Sequence, residues 1–202
     1  MKKLSFVLFV ILVFSMLAEN TPLNGKKVVI VISEKNYRDE ELDIPKKVLE
    51  SNGAKVTIAS TTLDEATGMK GGKAKPDILI ENINPGSFDG IIFVGGVGAQ
   101  SLWDNKNAQS LAKEFNQAEK PLGAICLAPV ILARAGLLEN TAATAYKSAS
   151  DELKKCDAMY VDKTVVVYKN IITANGPGAS EEFAKHYSGM LIPEPNLAPH
   201  DR

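Results

Sequence analysis

Histidine is scarce in this chain. Only His186 and His200 occur in 202 residues. A Cys-His pair needs an imidazole within hydrogen-bond reach of the sulfur. One of these falls in the last helical stretch and the other in the C-terminal tail, so both read as surface residues. Cysteine is equally scarce, with Cys126 and Cys156 alone. Two are too few for the disulfide framework of a small secreted domain. One bridge between them would silence Cys126, and pairing cannot be read from spacing. Two separated cysteines and two peripheral histidines match no zinc spacing, so neither metal nor cofactor is expected. An excess of charge of one sign is missing too, since 23 Lys and Arg face 24 Asp and Glu. No stretch gathers enough cations to track a phosphate backbone, which argues against nucleic acid as a partner.

What is present suits one domain. The 45% hydrophobic content is enough for a full core. The N-terminus stands apart. Met1-Lys2-Lys3 is basic, Leu4 to Ala18 is uncharged and apolar, and Glu19-Asn20-Thr21-Pro22 is polar. That order has the shape of a secretory signal. The apolar run is shorter than the roughly 20 residues of a spanning helix. Cleavage after Ala18 would leave Met16 where a small residue is preferred. Residues 1–22 are therefore expected to be a signal peptide or an N-terminal anchor, and the chain to be exported or membrane-anchored through them. A cytoplasmic location is the alternative. The folded domain is expected over 23–191, with a proline-containing tail over 192–202. A membrane enters as partner only through the N-terminal segment if it stays uncleaved.

Apolar runs and breakers alternate through the domain. Lys27 to Ser33 is β-branched and reads as a buried strand. Asp39 to Ser51 reads as a helix stopped by Asn52-Gly53. Lys55 to Ala59 is the next strand. Met69 to Asn84 reads as a small hairpin or excursion. Gly90 to Val94 is a strand ending in Gly95-Gly96-Val97-Gly98. Asn107 to Ala118 is a helix, Pro121 to Ile125 a strand, and Ala128 to Ala135 a helix stopped by Gly136. Thr164 to Tyr168 and Ile171 to Ala174 flank Lys169-Asn170 as a hairpin. Gly178 to Met190 is the last helix. Strands alternating with helices predict an α/β sandwich with a mostly parallel sheet.

In such sheets ligands bind beyond the carboxyl ends of the strands. Cys126 is delivered there by Gly123-Ala124-Ile125, straight before a helix. A thiol on such a nucleophile elbow faces the unpaired N–H groups of a helix start, which favours the thiolate. Gly95 and Gly96 let backbone approach a ligand closely. The N–H groups of Gly96 and Leu127 are candidates for an oxyanion hole. Asp39, Glu40, Glu41 and Asp43 crowd a helix start, where the dipole favours acids. If one of them points at the thiolate, like charge raises its pKa, so that it stays protonated and donates a hydrogen bond to the sulfur.

Several stretches together resemble the ThiJ/PfpI superfamily, which includes the Parkinsonism-associated deglycase and the PfpI-type intracellular proteases. They are Tyr37 to Pro45 (YRDEELDIP), Asp89 to Ala99 (DGIIFVGGVGA), Ala124 to Pro129 (AICLAP), Tyr160-Val161-Asp162, and Ile172 to Gly178 (ITANGPG). The similarity runs from about Lys26 to Met190. It implies a three-layer, flavodoxin-like α/β sandwich of the class I glutamine amidotransferase type. It makes Cys126 the nucleophile and Glu41 the acid that meets the sulfur. It places the backbone of Gly96 and Leu127 around a small anion or oxyanion, and it implies dimers or larger homo-oligomers. The chain departs from the PfpI-type proteases at Leu127, where they carry a histidine. Other members draw a histidine from the segment that here reads Lys155 to Met159, and it has none. Leucine cannot take a proton.

The leading expectation is a cysteine-dependent enzyme for small carbonyl compounds or glycated protein side chains, of deglycase or glyoxalase type. The alternatives are a redox-responsive stress protein or holdase that uses oxidation of Cys126, and a peptidase or other amide hydrolase.

Overall fold

Fully apolar, β-branched strands can be buried on both faces, and those of this chain form the middle of one sheet. The computed structural model describes residues 21–192. In chain order its elements are β1 (Lys27–Val31), β2 (Lys35–Tyr37), α1 (Asp39–Ser51), β3 (Lys55–Ser60), β4 (Ala66–Gly68), β5 (Lys73–Ala74), β6 (Ile78–Leu79), β7 (Gly90–Phe93), α2 (Lys106–Gln117), β8 (Leu122–Ile125), α3 (Pro129–Arg134), β9 (Ala142–Ala143), α4 (Ser150–Lys155), β10 (Met159–Tyr160), β11 (Val165–Tyr168), β12 (Ile171–Ala174) and α5 (Ser180–Met190). The main sheet has the order β11-β12-β8-β7-β1-β3-β6. All its neighbours are parallel except the β11–β12 hairpin. Helices α1 and α5 pack together on one face, and α2, α3 and α4 form the other layer. This is the expected flavodoxin-like sandwich.

Local signals account for the boundaries. α1 opens on three acids, Asp39, Glu40 and Glu41, which suit the positive end of the helix dipole. It continues through Pro45. The proline has no N–H, so the Glu41 carbonyl lacks its usual donor one turn on. α2 is capped by Asn105, whose side chain accepts from the Ala108 N–H at 3.0 Å. The β11–β12 turn is tight, with Lys169 at φ 53°. On the α1–α5 face Gly123 leaves room for two rings. A Cβ there would lie 2.7 Å from Phe183 and 3.0 Å from Tyr187.

The excursion after β3 begins earlier than expected. β4 and β5 form a hairpin over Ala66–Ala74, with β2 added parallel to β4. The chain then returns to the main sheet as β6, beside β3. The pair β9–β10 is a separate small ribbon. The signal or anchor expected over 1–22 and the tail over 192–202 lie outside the described residues, apart from Thr21, Pro22 and Ile192. Among the described residues no helix is long and apolar enough to cross a membrane.

The topology reverses at β1. The chain steps from β1 to β3 and β6 on one side, then from β7 to β8 and β12 on the other. A crevice therefore opens at the carboxyl ends of the central strands. The segments leaving β1, β7 and β8 meet there.

Candidate active site

Cys126 follows the last residue of β8 and takes φ 63°. Left-handed backbone is unfavourable for a residue with a Cβ, and local hydrogen bonds hold it. The Cys126 N–H donates to Ala174 O at 2.9 Å, and its carbonyl accepts from the Tyr146 N–H at 2.8 Å. The next residue is anchored as well, since Trp103 Nε1 donates to Leu127 O at 2.9 Å. The Cys126 side chain is only 6% exposed. Burial first, then the neighbouring Glu41 carboxylate, pushes the thiol up, while N–H groups of Gly96 and Leu127 donate to the sulfur and work the other way.

Glu41 lies in the first turn of α1 and is fully buried. Its Oε2 accepts from the Gly95 N–H at 3.0 Å. Its Oε1 has no hydrogen-bond partner among the described residues. The thiol and the carboxyl lie close enough for each to shift the other. Burial raises the Glu41 carboxyl to about 7, against the pull of Cys126, the Gly95 amide and the Arg38 charge. Two acidic groups this close in an apolar setting hold one negative charge between them more easily than two.

Gly95 sits between the two. A Cβ there would lie 2.5 Å from Cys126 Cβ and 2.6 Å from Glu41 Oε2. Its amide is turned to Glu41, which leaves the Gly96 and Leu127 amides at the sulfur. Gly96 has φ 88° and packs its Cα against the backbone of Asn36 and Arg38. Cys126, Glu41, Gly95, Gly96 and Leu127 are thus gathered in one place from three separate segments.

Of the other acids at the start of α1, Asp43 is exposed, while Asp39 and Glu40 are engaged by neighbouring groups. Asp39 is 8% exposed and accepts from the N–H groups of Lys70 and Gly72, both at 2.8 Å. Glu40 accepts from Arg38 Nε at 2.8 Å and also pairs with Lys70. These contacts pin the β4–β5 turn over the crevice.

A cavity of about 320 Å³ opens above Cys126. Arg38, Gln100, Tyr146 and Ser148 supply its polar groups, and Met69, Val97, Leu127 and Pro177 its apolar walls. Sequence reasoning singled out none of Gln100, Tyr146, Ser148 or Met69. Pro177 was within reach, because it follows β12 at the same rim. No histidine lines this cavity among the described residues. His186 is exposed on α5, beside a larger cleft of about 790 Å³ shared with Lys169 and Lys185 at the opposite end of the sheet. Cys156 ends α4, half-buried and outside the Cys126 cavity. Both cysteines are free. Among the described residues no three His, Cys, Asp or Glu side chains gather as a metal site would need.

The fold and this arrangement define a class: flavodoxin-like sandwiches that carry a cysteine on the strand-to-helix turn at the carboxyl rim of the sheet. Within that class the chain belongs to the DJ-1/PfpI family, which matches it over residues 26–189. An uncharacterized protein of Methanocaldococcus jannaschii is 43% identical over 192 residues, covering 91% of this chain and 94% of that one. Deglycase PfpI of Pyrococcus furiosus is 30% identical over 163 residues, or 81% of this chain and 98% of that one. Among solved structures, a ThiJ/PfpI domain protein from Brachyspira murdochii superposes with a TM-score of 0.80 at 37% identity. That match covers 83% of this chain and 98% of that one.

Proposed function

We propose that this chain is a cysteine-dependent enzyme acting on small carbonyl compounds or their glycated adducts, with Cys126 as nucleophile and Glu41 as its proton partner. One observation carries the reading. A fully buried carboxyl, with one oxygen fixed by Gly95 and the other unpartnered, adjoins a thiol in a cavity whose described residues include no histidine.

Glu41 receives the thiol proton, so that the shared charge moves onto sulfur. The sulfur adds to the carbonyl carbon. The oxygen takes up charge near the Gly96 and Leu127 amides and is then protonated from Glu41. A peptidase reading has no comparable support, because amide hydrolysis needs a proton delivered to a poor leaving group, and no imidazole is at hand.

Methylglyoxal consumption by the purified protein tests this. Cys126→Ala is expected to abolish it. Glu41→Gln keeps a donor beside the sulfur but cannot carry the proton, and is expected to lower kcat by roughly 10²–10⁴. Consumption unchanged in Cys126→Ala would overturn the assignment.

A further inference from the structure

We infer that the Cys126 cavity selects carbonyl substrates that carry a carboxylate, and that Arg38 reads it. This rests on the reading of Cys126 as a carbonyl nucleophile and adds the substrate class. Among the described residues lining the cavity, Arg38 is the one with a permanent charge. Its backbone is fixed next to the reactive pair, since its N–H donates to Gly95 O at 3.1 Å. Its charge is felt in the site, where it draws the Glu41 carboxyl down.

The Arg38 guanidinium is not fully taken up by protein acceptors among the described residues. Glu40 accepts from Arg38 Nε at 2.8 Å and from Nη2 at 3.3 Å, but it also pairs with Lys70. Arg38 therefore shares its carboxylate with a second cation. Asp39 keeps its charge but accepts from the amides of Lys70 and Gly72, and makes no hydrogen bond to Arg38 among the described residues. Arg38 Nη1 has no acceptor among the described residues. The walls of Met69, Val97, Leu127 and Pro177 lower the dielectric around an ion pair formed there. A volume of about 320 Å³ suits a short oxo acid. In the step itself the thiol proton passes to Glu41 and the sulfur lone pair forms the C–S bond. The carbonyl π pair moves to oxygen, and that oxygen takes the proton from Glu41. The product is a hemithioacetal, with no oxidant or reductant needed.

Two alkylating reagents of nearly equal size separate charge from reactivity: iodoacetate and the neutral iodoacetamide. The rate ratio of iodoacetate to iodoacetamide at Cys126 is expected to exceed that of free cysteine. It should fall about tenfold in Arg38→Gln, the effect of one charge-assisted contact, and be largely kept in Arg38→Lys. The iodoacetamide rate reports whether the site is intact in each variant. An equal ratio in wild type and Arg38→Gln overturns the inference. Should neither reagent reach the sulfur, amide chemical shifts of Gly96 and Leu127 under glyoxylate titration decide. Saturable shifts about tenfold weaker in Arg38→Gln support it; no saturation, or equal affinity, overturns it. No methylglyoxal turnover by the wild-type protein, with its iodoacetate preference intact, would count against the proposed reaction alone.

Discussion

Glu41 gives the site a pH dependence that can be worked out in sign. Its folded value, about 7, lies above the ordinary 4.5. Below 4.5 both folded and unfolded chains hold the proton, and the group has no effect on stability. Between 4.5 and 7 the unfolded chain has released its proton while the folded chain retains it. Stability therefore falls as pH rises through that window and levels off above it. The shift corresponds to a loss of about 3 kcal/mol. Glu41→Gln removes the titration. Urea unfolding at pH 5 and pH 8 should show the variant gaining on wild type by about 2–3 kcal/mol at the higher pH; an equal difference at both pH values would contradict the burial argument. At this scale the sequence was legible where a residue type was rare or oddly placed. Cys126 stood out as a thiol between an apolar strand and a helix. Arg38 did not, because a cation beside acids at a helix start reads as a solvated pair. Only the fold shows that Glu40 is shared with Lys70 and that Asp39 bonds the β4–β5 turn.

Among the elements, the first turn of α1 does more than begin a helix. Asp39 bonds the β4–β5 turn, Glu40 bridges Arg38 and Lys70, and Glu41 turns inward to the Gly95 amide. Asp39 holds the β4–β5 turn by accepting hydrogen bonds from two backbone N–H groups, and Gly68 and Gly72 leave it space: a Cβ on either would meet its carboxylate. Hydrogen bonds to a charged group contribute roughly 1.5–3 kcal/mol each. Asp39→Ala is thus expected to destabilise the protein by at least about 2 kcal/mol. It should also speed hydrogen exchange at the Lys70 and Gly72 amides more than tenfold; unchanged exchange at those amides would show that the carboxylate does not hold the turn. The long elements were readable from periodicity and from stops such as Asn52-Gly53 and Gly136. The short ones were not. β2, β9 and β10 span only two or three residues, too few for any period, and α4 spans six. They exist because neighbouring backbone is there to pair with, which is tertiary information.

For the molecule as a whole, the sandwich was legible because strand and helix signals alternate along the chain, and the site's position followed from the rule that parallel sheets bind at their carboxyl ends. How the helix layers seat on the sheet was not legible, since it depends on small residues facing large ones. Phe183 and Tyr187 of α5, with ring centroids 6.1 Å apart, settle over Gly123 of β8. Phe183→Ala opens a hole beneath that layer. It is expected to cost about 3–5 kcal/mol in denaturant unfolding, with loss below about 1 kcal/mol showing that the layer closes over the gap. The left-handed backbone at Cys126 has a consequence for the protein's history under selection. Glycine would suit that conformation better than any residue with a Cβ. Under the proposed role of Cys126, a population screened for thermal endurance alone would drift toward glycine at 126 and lose its activity, while one screened for turnover would keep the strain together with the sulfur.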